Sequence, residues 1–150
     1  MKEHILVTLA KRQFLTTERE AVQLVDEPEI NAFLNDFEQH PHAYVLGCLM
    51  DCQMKSEKAF AIPWLVNESV GSFSIDCLAE YSEEFYQNLF ISNNLHRFSN
   101  EKAKVFHAAI QQIENVYDGD ASRIWADNPS SAAVVYRFLQ FKGCGIKIAT

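Results

Sequence analysis

The stretch Phe141-Lys142-Gly143-Cys144-Gly145-Ile146-Lys147-Ile148-Ala149 carries the most chemical content in this 150-residue chain. Two glycines one residue apart permit a tight turn and a positive φ. Residues from Ile146 onward read as the first turn of a helix. The turn therefore gathers unpaired N–H groups that point the same way. Such a group of donors is an anion site, and a DNA phosphate suits it. Lys142, just before the glycines, reads as a phosphate contact. Lys147, at the start of the helix, reads from its position alone as a surface or phosphate-neutralising amine.

The elements that must position this turn are helical. Ala132 to Gln140 precedes it as a helix, started by Asn128-Pro129-Ser130. Glu101 to Tyr117 is the longest predicted helix, with Phe106, Ala109, Ile110, Ile113 and Tyr117 as its apolar stripe. Asp118-Gly119-Asp120 is a turn, and Asp120 caps a single helical turn ending at Trp125. Upstream, Thr17-Glu18-Arg19-Glu20 has the form of a capping box, followed by Ala21, Leu24 and Val25 on one face. Ile30, Phe33, Leu34 and Phe37 fall at helical spacing, and Pro41 is expected to end that helix. Ala43 to Cys52 is almost wholly apolar and reads as the buried central helix of a bundle. Lys55 to Val70 follows, with a kink expected at Pro63. Ser74 and Ser82 cap two further helices, through Ala79 and Ile91. Strand patterns rarely exceed four positions, so the fold class is all-α.

Bulk properties narrow the function classes. The chain carries a net charge of −7, which works against indiscriminate DNA binding. Residues 1–100 hold a net −8 and residues 101–150 a net +1, so the acid lies away from the glycine turn. No apolar run approaches the roughly 20 residues of a membrane span. The opening Met1-Lys2-Glu3-His4-Ile5 has no secretory pattern, which points to a cytoplasmic protein. Cys48, Cys52, Cys77 and Cys144 have no zinc spacing and read as small buried hydrophobes in a reducing compartment. His40 and His42 flank Pro41 and read as solvated loop residues. His96-Arg97-Phe98 lies in a loop, and Trp64 and Trp125 read as core anchors.

The glycine turn resembles the helix-hairpin-helix of the endonuclease III-like DNA glycosylase superfamily, whose turn is commonly Leu-Pro-Gly-Val-Gly-x-Lys-Thr-Ala. Phe141, Gly143, Gly145, Lys147 and Ala149 match it, while Lys142 replaces Pro and Ile148 replaces Thr. The resemblance covers roughly residues 28–150 and implies the six-helix barrel domain of that superfamily. It also implies a DNA base-excision role, glycosylase or abasic-site lyase, on double-stranded and damaged or abasic DNA. Lys147 sits where bifunctional members place the amine that attacks the sugar C1′ and forms a Schiff base. Such an amine must be neutral to attack. Gln53 matches a residue that reaches the DNA stack beside a flipped nucleotide. The hairpin residues Lys142, Gly143, Cys144, Gly145 and Ile146 are then phosphate contacts.

The resemblance also sets expectations about what this chain lacks. Many members ligate a [4Fe–4S] cluster with four Cys near their C-terminus, and no such run occurs here. No cofactor is therefore expected in this chain, and a cluster belongs only to a longer form. The superfamily's catalytic Asp follows the second hairpin helix, whereas Asp51, Asp118, Asp120 and Asp127 all precede the hairpin. Lys147 is thus expected to lack a carboxylate partner. The chain reads as truncated within its hairpin motif, inactive or nearly so alone, with self-association through the C-terminus as an accompanying expectation. The domain division is a helical extension over 1–27 and a hairpin-containing helical domain over 28–150. The alternative function is a non-catalytic module that binds DNA or another protein.

Overall fold

The computed structural model describes residues 21–150, and among these the fold is all-α, with no strand. Eight α-helices follow in order: α1 (Pro28–Asn35), α2 (Pro41–Met50), α3 (Ser56–Val70), α4 (Ile75–Ala79), α5 (Glu83–Ser92), α6 (Ser99–Val116), α7 (Ser131–Leu139) and α8 (Ile146–Ala149). A 3-10 turn, Ala121–Ile124, links α6 to α7. None is long and apolar enough to cross a membrane.

α2 is the hub. Eight of its ten residues are buried, and it packs on α1, α3, α6 and the 3-10 turn. Its all-round hydrophobicity follows from having no solvent face. Gly47 lets α3 come close, because a Cβ there would sit 2.5 Å from the Phe60 ring. α6 forms the second axis and carries the predicted stripe: Phe106, Ala109, Ile110 and Ile113 are all buried. Phe90 and Tyr86 of α5 pack their rings on Phe106, and the Tyr86 hydroxyl donates to the Leu78 carbonyl at 2.7 Å.

Several sequence expectations need correction. Pro41 does not end a helix; it opens α2 at the first helical position, where its missing N–H has no intrahelical partner to lose. The preceding helix already stops at Asn35, so Phe37 falls outside it and is exposed. α3 runs unbroken through Pro63, which is buried against the core. Cys52 lies beyond the end of α2 rather than one turn along it from Cys48. The capping box at 17–20 lies outside the described residues. Residues 21–27, expected as part of a helical extension, are non-helical. They are held instead by asparagine side chains of α1. Asn31 Oδ1 accepts from the Leu24 N–H at 2.8 Å, and Asn35 exchanges two bonds with Val22. An extended segment needs such external partners for its backbone groups.

His42 is the largest correction. It is 3% exposed within α2, stacks on the Phe73 ring at 4.8 Å and donates its Nε2–H to the Phe73 carbonyl. Burial pushes its pKa down to about 4, with a smaller contribution from His40 in the same direction. The bond to Phe73 opposes this shift without cancelling it. The folded state therefore holds His42 neutral where the unfolded chain would protonate it. Its contribution to stability is full above about pH 6.5 and is lost as the pH falls toward 4. Urea unfolding at pH 7.5 and pH 4 should show up to roughly 3 kcal/mol more acid loss in the wild type than in a non-titrating His42→Gln variant. Equal acid loss in both would assign the acid sensitivity to other groups.

Candidate nucleic-acid interface

The glycine turn lies between α7 and the four-residue α8 and packs against Val105 of α6. Ser130 caps α7, its hydroxyl accepting from the Ala133 N–H at 3.2 Å. Arg137 fixes the helix from the side, with a two-pronged pair to Asp127 at 2.8 and 2.9 Å and a bond to the Ile124 carbonyl at 2.7 Å. Phe141 is buried beyond the end of α7 and stacks parallel to Tyr117. The chain then turns. The Cys144 N–H donates to the Phe141 carbonyl at 3.1 Å, and α8 starts at Ile146.

The two glycines have different jobs. Gly143 takes φ +77°, and a Cβ on it would stand 2.9 Å from Val105 Cγ2 of α6. It is needed both for its backbone angle and for close docking. Gly145, by contrast, is extended at φ −93°, and a Cβ there would meet nothing within 4 Å. The positive φ that the glycine pair permits is used at Gly143 and not at Gly145.

Lys142, Gly143, Gly145, Ile146 and Lys147 are exposed, and Cys144 is half-buried. α8 has only four residues, so its dipole is that of a single turn. Attraction for an anion at this end of the molecule must come mainly from side-chain cations.

Those cations gather near the far end of α2. Gln53 follows that helix with φ +53°, a left-handed conformation uncommon for a residue of its type. It lines a cavity of about 500 Å³. Lys55 and Lys58 line this cavity beside Gln53, and Asn94, His96 and Arg97 line it from the loop before α6. No carboxylate is among its lining residues, and Met54, Leu65 and Leu95 supply apolar surface. Lys55, Lys58 and Arg97 were not singled out in the sequence, although the two lysines follow Gln53 by two and five positions.

The geometry between these parts rests on α2. Its final carbonyls end inside the protein, where two side chains from the α6 side satisfy them. Lys102 Nζ, on a residue 7% exposed, donates to the Leu49 carbonyl at 2.9 Å. His96 Nε2–H donates to the Met50 carbonyl at 2.9 Å, while its Nδ1 accepts from the Phe98 N–H at 2.9 Å. These two bonds select the Nε2–H tautomer. Burial, and then the Lys102 charge, lower the His96 pKa and favour the neutral ring.

The hairpin meets α2 at this same end. Lys147 and Ile148 line a small cavity of about 80 Å³ with Cys48, Asp51 and Phe60. Chain order had placed Asp51 on the wrong side of the hairpin to serve Lys147. In space, the two line the same cavity. The four cysteines form no disulfide, and among the described residues no group of three or more His, Cys, Asp and Glu side chains is placed to hold a metal ion.

A different cavity, about 700 Å³, lies by the start of α2. It is lined by His42 and by Glu38, Asp76, Glu114, Asp118 and Asp120. Acid at the N-terminal end of α2 and cations at its C-terminal end both match the helix dipole.

Two stability measurements test this account. Gly143→Ala should destabilise the fold by about 1–3 kcal/mol through strain and the Val105 contact, and Gly145→Ala should stay within about 0.5 kcal/mol. Lys102→Met should cost about 1–3 kcal/mol by orphaning the Leu49 carbonyl, with Lys104→Met as the mild control. Urea titration reads both, and equal losses at the two glycines would refute the assignment of their roles. No protein-family model, curated protein or solved structure matches the chain.

Proposed function

We propose that this protein binds DNA as a helix-hairpin-helix module of the base-excision type, engaging damaged or abasic duplex. The observation that carries the reading is the left-handed Gln53, which lines a cavity together with Lys55, Lys58 and Arg97. A non-glycine residue in that region costs about 1 kcal/mol or more and tends to mark a functional site. Its exposed side chain follows the helix end that also borders the Lys147 cavity. A single DNA backbone passing over this end would meet Lys55, Lys58 and Arg97, with Lys142 and Lys147 on the hairpin. Gln53 is then the side chain that enters the stack where a nucleotide is extruded. The resemblance of the hairpin to the endonuclease III-like glycosylases points the same way.

The acidic cavity at the start of α2 argues for a defined orientation on DNA rather than general attraction. Phosphates are repelled there by five carboxylates and drawn to the opposite end of the helix.

Fluorescence anisotropy with a 20-base-pair duplex tests the proposal. A duplex bearing a tetrahydrofuran abasic analogue should bind more tightly than the intact duplex. Affinity should fall with salt at a log–log slope of roughly −4 to −5, as expected for about five phosphate contacts. The double variant Lys55→Glu/Lys58→Glu should lose at least tenfold, and Asp76→Asn should not weaken binding. Binding to neither duplex would favour the protein-interaction reading, and indifference to the double variant would move the interface elsewhere.

A further inference from the structure

His96 is 2% exposed, and both of its ring nitrogens are bonded. A carbonyl only accepts, so the 2.9 Å bond to Met50 puts the ring proton on Nε2. A backbone N–H only donates, so the 2.9 Å bond from Phe98 needs a bare Nδ1. A second proton would enter at Nδ1 and face the Phe98 N–H, donor against donor. Protonation and the Phe98 bond therefore exclude each other, while the Met50 bond suits both states of the ring.

The Phe98 bond holds the entry to α6. Phe98 is the residue before that helix, and its carbonyl accepts from the Lys102 N–H at 2.9 Å. The Arg97 guanidinium lies 5.4 Å from the centre of the Phe98 ring, which ties the two side chains together. Phe98 is 39% exposed, so the pair has room on its solvent side. Ser99 fixes the flanks independently of the ring, its hydroxyl donating to the His96 carbonyl at 2.7 Å. Loss of the ring bond would thus free Arg97 and Phe98 without undoing α6.

The charges around the ring are mostly positive. Lys102 comes from α6, Lys55 and Lys58 from the start of α3, and Arg97 from the loop itself. The end of α5 brings Asn93 and Asn94, which do not ionise. Asp51, at the end of α2, accepts from the Ser56 hydroxyl at 2.9 Å. Burial, and then the Lys102 charge, hold the ring below its ordinary pKa against the opposing effect of the Met50 bond. His96 also lines the cavity of Gln53, Lys55, Lys58 and Arg97. An anion placed there cancels part of the positive field and eases entry of the second proton.

We propose that His96 is a latch coupling anion binding in this cavity to release of Arg97 and Phe98. Anion and proton are taken up together, the Phe98 N–H is let go, and Arg97 becomes free to reach the anion. The latch rests on the bonding of the ring; that the anion is a DNA phosphate rests on the reading above. Coupling is reciprocal, so the anion binds more tightly as pH falls through the His96 titration, and the ring holds its proton more tightly when the anion is bound.

Nuclear magnetic resonance on the full wild-type chain tests this between pH 5 and 8. Imidazole ¹⁵N shifts read the state of His96, and amide exchange, corrected for its intrinsic pH dependence, reads the Phe98 bond. At pH 7.5 the ring should be the Nε2–H tautomer with Phe98 protected. As the ring protonates, Phe98 protection should fall at least tenfold with the same midpoint. The Phe85 N–H, bonded to the Ser82 hydroxyl, should keep its protection. Replacing chloride by sulfate, which does not titrate in this range, at equal ionic strength should raise the His96 midpoint by about half a pH unit, roughly a threefold gain in proton affinity. His96→Asn offers Phe98 an acceptor that does not titrate, and should keep Phe98 protected at every pH. A ring that protonates without loss of Phe98 protection, or one that stays neutral down to pH 5 in both salts, overturns the latch. A midpoint indifferent to sulfate overturns the coupling. An abasic-site duplex then separates the two claims. Tighter binding at pH 6 than at pH 7.5 in the wild type, absent in His96→Asn, supports both. A sulfate effect without duplex binding keeps the latch and removes DNA as its anion.

Discussion

The carbonyl groups at the end of α2 impose the constraint on which the rest of this fold depends. A helix leaves its last carbonyls without intrahelical donors, and here they point into the protein rather than into water. Lys102 and His96 meet that demand from the α6 side. A buried ammonium is expensive to place unless it is bonded, so its position is tightly specified. The consequence runs outward in both directions. The loop containing Arg97 and Phe98 is tied through the His96 ring to α2, and the residues just past α2, Asp51 to Gln53, are held in place for the hairpin to approach.

The fold class was legible because it is written in spacing. Phe106, Ala109, Ile110 and Ile113 repeat along α6 as a buried stripe, and the apolar run of α2 is buried as its composition implies. Caps at Ser82 and Ser130, and the turn at Asp118-Gly119, are chosen by short-range hydrogen bonds and backbone sterics, which local sequence specifies. Pro41 and His42 were misread because both are ambiguous locally. Proline both ends and begins helices, and a histidine next to it looks solvated until Phe73, 31 residues away, covers it.

The site was only half legible for the same reason. The hairpin glycines and Lys147 form a contiguous motif, so the sequence displays them together. Asp51 and Lys147 are separated by nearly a hundred positions and line one small cavity only because α2 and the hairpin converge. Lys55, Lys58 and Arg97 come from two segments that share a cavity wall in space but no pattern in sequence. The different conformations of Gly143 and Gly145 depend on α6, where Val105 leaves room for one backbone and not for a side chain.

Among the described residues, carboxylates gather by the start of α2 and cations by its end, in a chain of net charge −7. A polyanion at long range meets an overall repulsive object. At short range it meets an attractive one, but only over a limited set of angles. Most random collisions would then be turned away, and productive encounters would arrive already aligned. For the DNA partner proposed above, selectivity would then begin before contact, in the torque that the field exerts on the approaching duplex.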